Sequence, residues 1–285
     1  MGKRVSDTAP MGTQSTHNKP LKSDVPFLTG LFGFTLLYVL LIALLVVANA
    51  SYITWENISD AVRSNAIQQS LSLTFLTCTV TAILSVFFAV PIGYSLSRFK
   101  FRGRTLLDTI LDIPIILPPL VVGLSLLILF NSFPARDSSL ENWLNAHGIH
   151  VTFHIPAIIL AQFTVAAAFA VRSMKNTFDQ ISPRAEMVAL TLGCNKSQAF
   201  WRVTLPQAGR GILSAGVLAW ARALGEFGPI LVFAGATRGR TEVLATSVFL
   251  EINIGNLGGA AAVSLILITL AITTILIIRI AGDRK

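Results

Sequence analysis

Apolar residues along this chain run in long unbroken blocks rather than alternating or recurring on one face. Asp, Glu, Lys and Arg are missing from 25–55, 64–97, 113–135, 142–171 and 252–278, and a sixth block, 211–237, is interrupted only by Arg222 and Glu226. A hydrocarbon core about 30 Å thick is crossed by about 20 apolar residues in a helix. The pattern therefore predicts an all-α polytopic membrane protein with about six transmembrane helices, near 27–49, 70–96, 106–130, 155–175, 209–235 and 258–280. Pro118 and Pro119 should bend the third. Gly225, Gly228 and Pro229 should kink or break the fifth, since proline removes a backbone donor. Residues 1–24, rich in Ser, Thr, Lys and Pro without apolar periodicity, read as a disordered cytoplasmic tail ahead of a membrane domain over 25–285. Ala48-Asn49-Ala50 resembles a signal-peptide cleavage site, but the apolar run is too long and is preceded by 24 mostly polar residues, which favours an uncleaved helix.

Composition agrees: 53% of the 285 residues are hydrophobic and 13% charged, against about 25% charged in a soluble domain. The net charge of +8 raises the question of nucleic acid, and the placement of the charges answers it. Seventeen of the 22 Lys and Arg fall in the tail, the second-to-third loop, the fourth-to-fifth loop and the C-terminus. Cytoplasmic loops retain such an excess, so both termini are expected in the cytoplasm, and no nucleic-acid partner is needed. Cys78 and Cys194 are too few and too far apart for a disulfide framework or metal cluster.

The longest inner loop, 176–209, is written as two short helices. Ser182-Pro183 is a start signal, and Ala185, Val188, Ala189 and Leu192 form one apolar stripe. Gly193 can supply a left-handed end, and Asn195 with Gln198 forms a capping box for a second helix running toward Leu205-Pro206. Such a stripe packs back on the protein, lies in the lipid interface or enters a partner's groove.

Within the spans, Arg222 and Glu226 are the only deep charged pair; four apart, they share a helix face. Intramembrane ions mark functional sites by default, although an ion pair that locks packing is an equal reading. Thr74, Thr77, Thr79, Thr81 and Ser85 read as interhelical hydrogen-bonding groups before an anion path. His147, His150 and His154 lack a Cys or carboxylate at metal-ligand spacing and read as a solvated loop, while Trp55 and Trp143 read as interface anchors.

The order Ala189, Gly193, Val203, Leu205, Pro206, with Phe200 between, resembles the EAA loop of ABC-transporter permeases: Glu-Ala-Ala, three residues, Gly, nine residues, Ile, one residue, Leu-Pro. Met187 stands at the family glutamate, and Glu186 lies one residue early, about 100° around the helix, away from any ion pair of the family. The run from Trp220 to Gly228, containing Arg-Ala-Leu-Gly-Glu-Phe-Gly, resembles the molybdate, tungstate and sulfate permeases. Leu117-Pro118-Pro119 followed by Val121, Val122 and Gly123, and Leu231 to Gly235, are similar to the same group; the likeness spans about 65–280.

This resemblance implies a type I importer permease in a prokaryotic plasma membrane, moving molybdate or tungstate before sulfate. It implies a second permease copy, a homodimer ahead of a heterodimer, a cytoplasmic ABC ATPase dimer carrying ATP and Mg, an extracytoplasmic oxyanion-binding protein, and surrounding lipid. Glu186, Met187, Ala189, Gly193, Cys194, Asn195, Phe200, Leu205 and Pro206 would form the ATPase-coupling loop. Pro118, Pro119, Arg222, Glu226, Gly228 and Pro229 would form the translocation path or gate. The chain has no phosphate-binding loop of its own, its one Gly-Lys being Gly2-Lys3, so no cofactor and no catalytic residue is expected in it. The alternative is an ion-coupled secondary transporter with Glu226 as proton site, which would leave the EAA spacing to chance and for which no inverted repeat is visible. A membrane enzyme would want clustered His, Asp or Glu, which the spans lack.

Overall fold

The computed structural model describes residues 25–135 and 139–283; the tail expected over 1–24 lies outside them. The described residues form helices joined by short links. The chain divides into a unit up to Ala48 and a unit from Asn49 onward. The first contains most of α1 (Val25–Ser51), apolar on every side.

The second unit opens with an amphipathic helix, α2 (Trp55–Arg63), and a 34-residue helix, α3 (Asn65–Arg98). There follow α4 (Arg104–Ile116), α5 (Pro119–Ser132), α6 (Leu140–Ala146) and α7 (Ile155–Gln180). The loop beyond α7 folds into α8 (Arg184–Thr191), α9 (Lys196–Ala199), a π turn (Phe200–Thr204) and α10 (Leu205–Gln207). The chain ends with α11 (Gly209–Leu224), α12 (Gly228–Phe233), α13 (Leu244–Asn253) and α14 (Leu257–Asp283).

Small residues build the centre. Ala82 and Ala89 of α3, Ala166 and Ala170 of α7, and Ala215, Ala219 and Ala223 of α11 are buried together, which lets three helices approach closely where lipid offers no hydrophobic drive to pack. Hydrogen bonds cross the same seams: the Thr81 hydroxyl donates to Gln162 Oε1 (3.1 Å), Gln162 Nε2 donates to the Ala223 carbonyl (3.2 Å), and Trp220 Nε1 donates to Thr79 Oγ1 (3.4 Å). A second cluster joins α5, α7 and α12 through Phe130, Ile158, Ile230 and Phe233. Ahead of α7, the buried Glu141 carboxylate accepts from the Val151 and Thr152 amides and the Thr152 hydroxyl.

Two of the six expected spans are not continuous. Among the described residues α1, α3, α7 and α14 are long and apolar enough to cross a membrane, and a fifth is the pair α4 and α5, bent by 109°. The physical cause is Leu117-Pro118-Pro119: each residue before a proline is pushed to extended backbone, with Leu117 at φ −63°, ψ 139° and Pro118 at φ −56°, ψ 134°, so the helix restarts in a new direction. The fifth block splits into α11, only 16 residues, and α12, six residues, around Gly225–Phe227.

Candidate functional site

Two places collect the sequence candidates: the loop beyond α7, and the crossing of α5 with α11 and α12. In the loop, Ser182 Oγ accepts from the Arg184 amide (3.4 Å), but Pro183 itself occupies the N-cap, so α8 starts one residue later than the Ser-Pro signal suggests. The helix ends as its residues dictate. Gly193 adopts φ +91°, the Cys194 amide donates to the Ala189 carbonyl (3.0 Å), and the Gly193 amide donates to the Leu190 carbonyl (3.1 Å). Asn195 and Gln198 then form the expected reciprocal capping box, at 2.8 and 3.0 Å.

One face of this loop is tied down. Glu186 accepts from the Tyr94 hydroxyl (2.5 Å) and the Thr204 hydroxyl (3.3 Å) and pairs with Arg98 Nε (3.5 Å), both charged side chains being nearly buried. Arg98 also donates to the Ile181 carbonyl (2.8 Å), and Ser97 donates to Asp179 (2.6 Å). The Tyr94 ring sits 4.6 Å from Phe200 and 5.5 Å from Phe178. Glu186, one residue off the family register, is thus ion-paired within the chain, to the end of α3. Sequence reasoning missed this clamp because Tyr94 reads as the tail of an apolar span and Arg98 as one more basic residue of an inner loop.

The other face is uncovered. Of the stripe Ala185, Val188, Ala189 and Leu192, only Ala189 is buried; Val188 is 56% and Leu192 80% exposed. Met187, at the family glutamate position, is 54% exposed, and Trp201, which the sequence reading passed over, 64%. Cys194 is a half-buried free thiol, Phe200 and Leu205 are half-buried, and Pro206 is exposed in α10, three residues ahead of the start of α11.

At the second place, Arg222 Nη2 stands 2.8 Å from Glu226 Oε1, a pair that closes over the end of α11. The Glu226 side chain is 1% exposed and that of Arg222 31%, so the pair hides its anion and shows its cation; the guanidinium also lies 5.5 Å from the Phe169 ring. Next to it α5 and α12 cross at backbone contact. A Cβ on Gly228 would lie 3.0 Å from Pro119 Cβ, and one on Gly123 would lie 2.8 Å from Pro229 Cα. Pro119, Gly228 and Pro229 therefore meet at one crossing, with Gly123, which the sequence names in the Leu-Pro-Pro motif but not among the gate residues, as a further partner; Pro118 lies at the bend before α5. The Gln162 bond to the Ala223 carbonyl links this end of α11 to α3 and α7.

The family described as the inner membrane component of binding-protein-dependent transport systems matches residues 83–284. The molybdenum transport system permease protein ModB of Mycobacterium tuberculosis is 33% identical over 238 residues, covering 84% of this chain and 88% of that relative. The sulfate transport system permease protein CysW of Synechococcus elongatus is 34% identical over 79% of this chain and 78% of its own. The molybdate/tungstate transport system permease protein WtpB of Pyrococcus abyssi is 31% identical over 73% and 77%. Among solved structures, a chain of a bacterial alginate ABC transporter superposes with a TM-score of 0.72 at 17% identity, covering 92% of this chain and 95% of that one, and a chain of the MetNI methionine ABC transporter with 0.55 at 19%, covering 78% and 96%.

Proposed function

Because the chain belongs to the family of inner membrane components of binding-protein-dependent transport systems, and so is a multi-pass permease subunit of an ABC importer, we propose that its cargo is a tetrahedral oxyanion, molybdate or tungstate before sulfate. That membership displaces the ion-coupled carrier with Glu226 as proton site. Both termini, and the loop carrying α8, face the cytoplasm in this reading, and the partners are a second permease copy, an ABC ATPase dimer that holds ATP and Mg, and an extracytoplasmic binding protein.

The observation that carries the mechanism is the two-faced coupling loop. Met187, Val188, Leu192 and Trp201 offer an apolar surface to a groove in the ATPase, while Glu186 is clamped to Tyr94 and Arg98 on α3. A push on α8 is therefore delivered to α3, and from α3 through Thr81 and Gln162 to the Ala223 carbonyl beside the helix break. ATP-driven approach of the two ATPases would move both coupling helices together and turn the cavity outward. The permease makes and breaks no bonds; it contributes different affinities for the anion in two conformations.

The anion reading is supported by the relatives named for molybdenum, sulfate and molybdate/tungstate transport and by the buried Glu226 beside a more exposed Arg222. An unpaired carboxylate would repel a dianion, whereas this pair is neutral overall and turns the positive end of its dipole to the more exposed side. The test is ATP-dependent uptake of labelled molybdate into vesicles holding the whole complex, with tungstate and sulfate as competitors. Competition by tungstate well below the concentration at which sulfate competes is expected; indifference to all three anions would overturn the cargo.

A further inference from the structure

A small cavity of about 150 Å³ opens between the second and third turns of α3, the start of α7 and the 239–242 turn, and shares no residue with the gate or the coupling loop. Its rim is exposed and its floor is not: Gln69, Ile155, Gly239 and Arg240 are open to solvent, while Ser70 is 1% and Glu242 2% exposed. Neither Glu242 carboxylate oxygen makes a well-formed hydrogen bond, nor does Ser70 Oγ; the Ser247 hydroxyl stands close enough to ease the carboxylate, but its proton is engaged with the Val243 carbonyl (3.1 Å). Arg238, the other cation of this turn, is already engaged with Glu251 (2.6 Å). A buried carboxylate without a donor is costly, so a positive group that completes it stabilises whatever complex supplies that group.

The lining selects the kind of cation. A bare alkali ion wants six or so oxygens, and half of this wall is the hydrocarbon of Leu73 and Ile155. An ammonium on an alkyl stem matches both halves: methylenes against Leu73 and Ile155, the charged end at Glu242 and Ser70. The first turns of α3 and α7 lie at the ends opposite the coupling loop, which in the reading above is the extracytoplasmic side. Resting on that reading, we propose that this cavity receives a lysine side chain of the extracytoplasmic binding protein, which pairs with Glu242 when the two proteins dock. Entry requires the turn to yield, and Gly239 at φ +75° provides a pivot there. Arg240 then turns outward, free to meet an acidic group of the same partner.

The experiment measures ATPase stimulation of the reconstituted complex against the concentration of the molybdate-loaded binding protein, for the natural chain, Glu242→Gln, and Ile155→Trp, which plugs the mouth without touching the carboxylate. The binding protein is used unmodified, lysine-acetylated, or lysine-guanidinated, the last keeping the charge. Each variant should raise the half-maximal concentration about 30-fold while keeping the plateau. Acetylation should weaken docking to the natural chain but add nothing with Glu242→Gln, and guanidination should leave docking nearly intact. Equal half-maximal concentrations for the natural chain and both variants, or an acetylation penalty that persists in Glu242→Gln, would overturn the lysine pocket while leaving the importer reading in place. Failure of any binding protein to stimulate the natural complex would remove both.

Discussion

At the residue scale the Arg222–Glu226 pair separates a packing role from a role in the path. Removing Arg222 alone leaves the buried Glu226 carboxylate unpaired in low dielectric and should cost roughly 3 to 5 kcal/mol, seen as loss of folded complex, whereas removing Glu226 leaves a part-exposed guanidinium and should cost less. Arg222→Met with Glu226→Met should recover the folded complex; if the exposed guanidinium shapes the path, uptake per folded complex should stay low, and full recovery would assign the pair to packing alone. A second prediction concerns Glu242, in the loop after α12. Burial raises its carboxyl above the ordinary range, with the nearby Ser247 hydroxyl and then the Arg238 charge easing it and Glu251 adding to it. The folded chain therefore holds this proton more tightly than the unfolded chain does. Below the ordinary carboxylate value, about 4.3, the group contributes nothing to the pH dependence; stability falls as pH rises from there through the raised value, and the loss is complete above it. Apparent melting temperatures between pH 5 and 8 should decline for the natural chain and decline less for Glu242→Gln, the same variant expected to dock its partner worse.

At the scale of elements, two glycines act for different reasons. Gly193 holds φ +91° with open space around it, so the cost of a side chain is conformational. Gly193→Asp should destabilise the turn by about 1 kcal/mol and place a charge beside the apolar face, giving an assembled complex with poor substrate-stimulated ATPase activity. Normal stimulation would count against docking by this loop. At Gly123, instead, an added Cβ would stand 2.8 Å from Pro229 Cα, backbone that has nothing flexible to give way. Gly123→Ala should separate α5 from α12 at a cost of about 1 to 3 kcal/mol and alter uptake more than ATPase coupling; unchanged uptake and melting would contradict a tight crossing. The C-terminal end of α8 at Gly193 and the capping box of α9 were legible in the sequence because their bonds run between residues three to five apart, whereas the α8 N-cap fell one residue later than Ser182. The clamp on Glu186 was not: its partners, Tyr94 and Arg98, are about ninety residues away and carry no local signature.

For the whole molecule, the orientation inferred from basic loops is open to direct test. In a Cys194→Ser background, a membrane-impermeant thiol reagent added outside should label a cysteine at Ala146 and spare one at Ser197; the reverse pattern would invert the topology. The helical membrane class followed from blocks of twenty apolar residues, since hydrocarbon admits few ways of satisfying a backbone within one segment. The breaks at Leu117–Pro119 and Gly225–Phe227 were also foreseeable, because proline and glycine act on their own neighbours. What the chain order could not contain is which segments meet. The 109° turn between α4 and α5, the proline–glycine crossing of α5 with α12, the exposed side of the Arg222–Glu226 pair and the unpartnered floor at Ser70 and Glu242 all depend on contacts between distant residues. Sequence alone determined the periodicity, caps, breaks and charge asymmetry, which are local free energies. Tertiary packing decided the clamp, the proline–glycine crossing and the cavity, because burial and pairing of a polar group are properties of its surroundings and not of its neighbours in the chain.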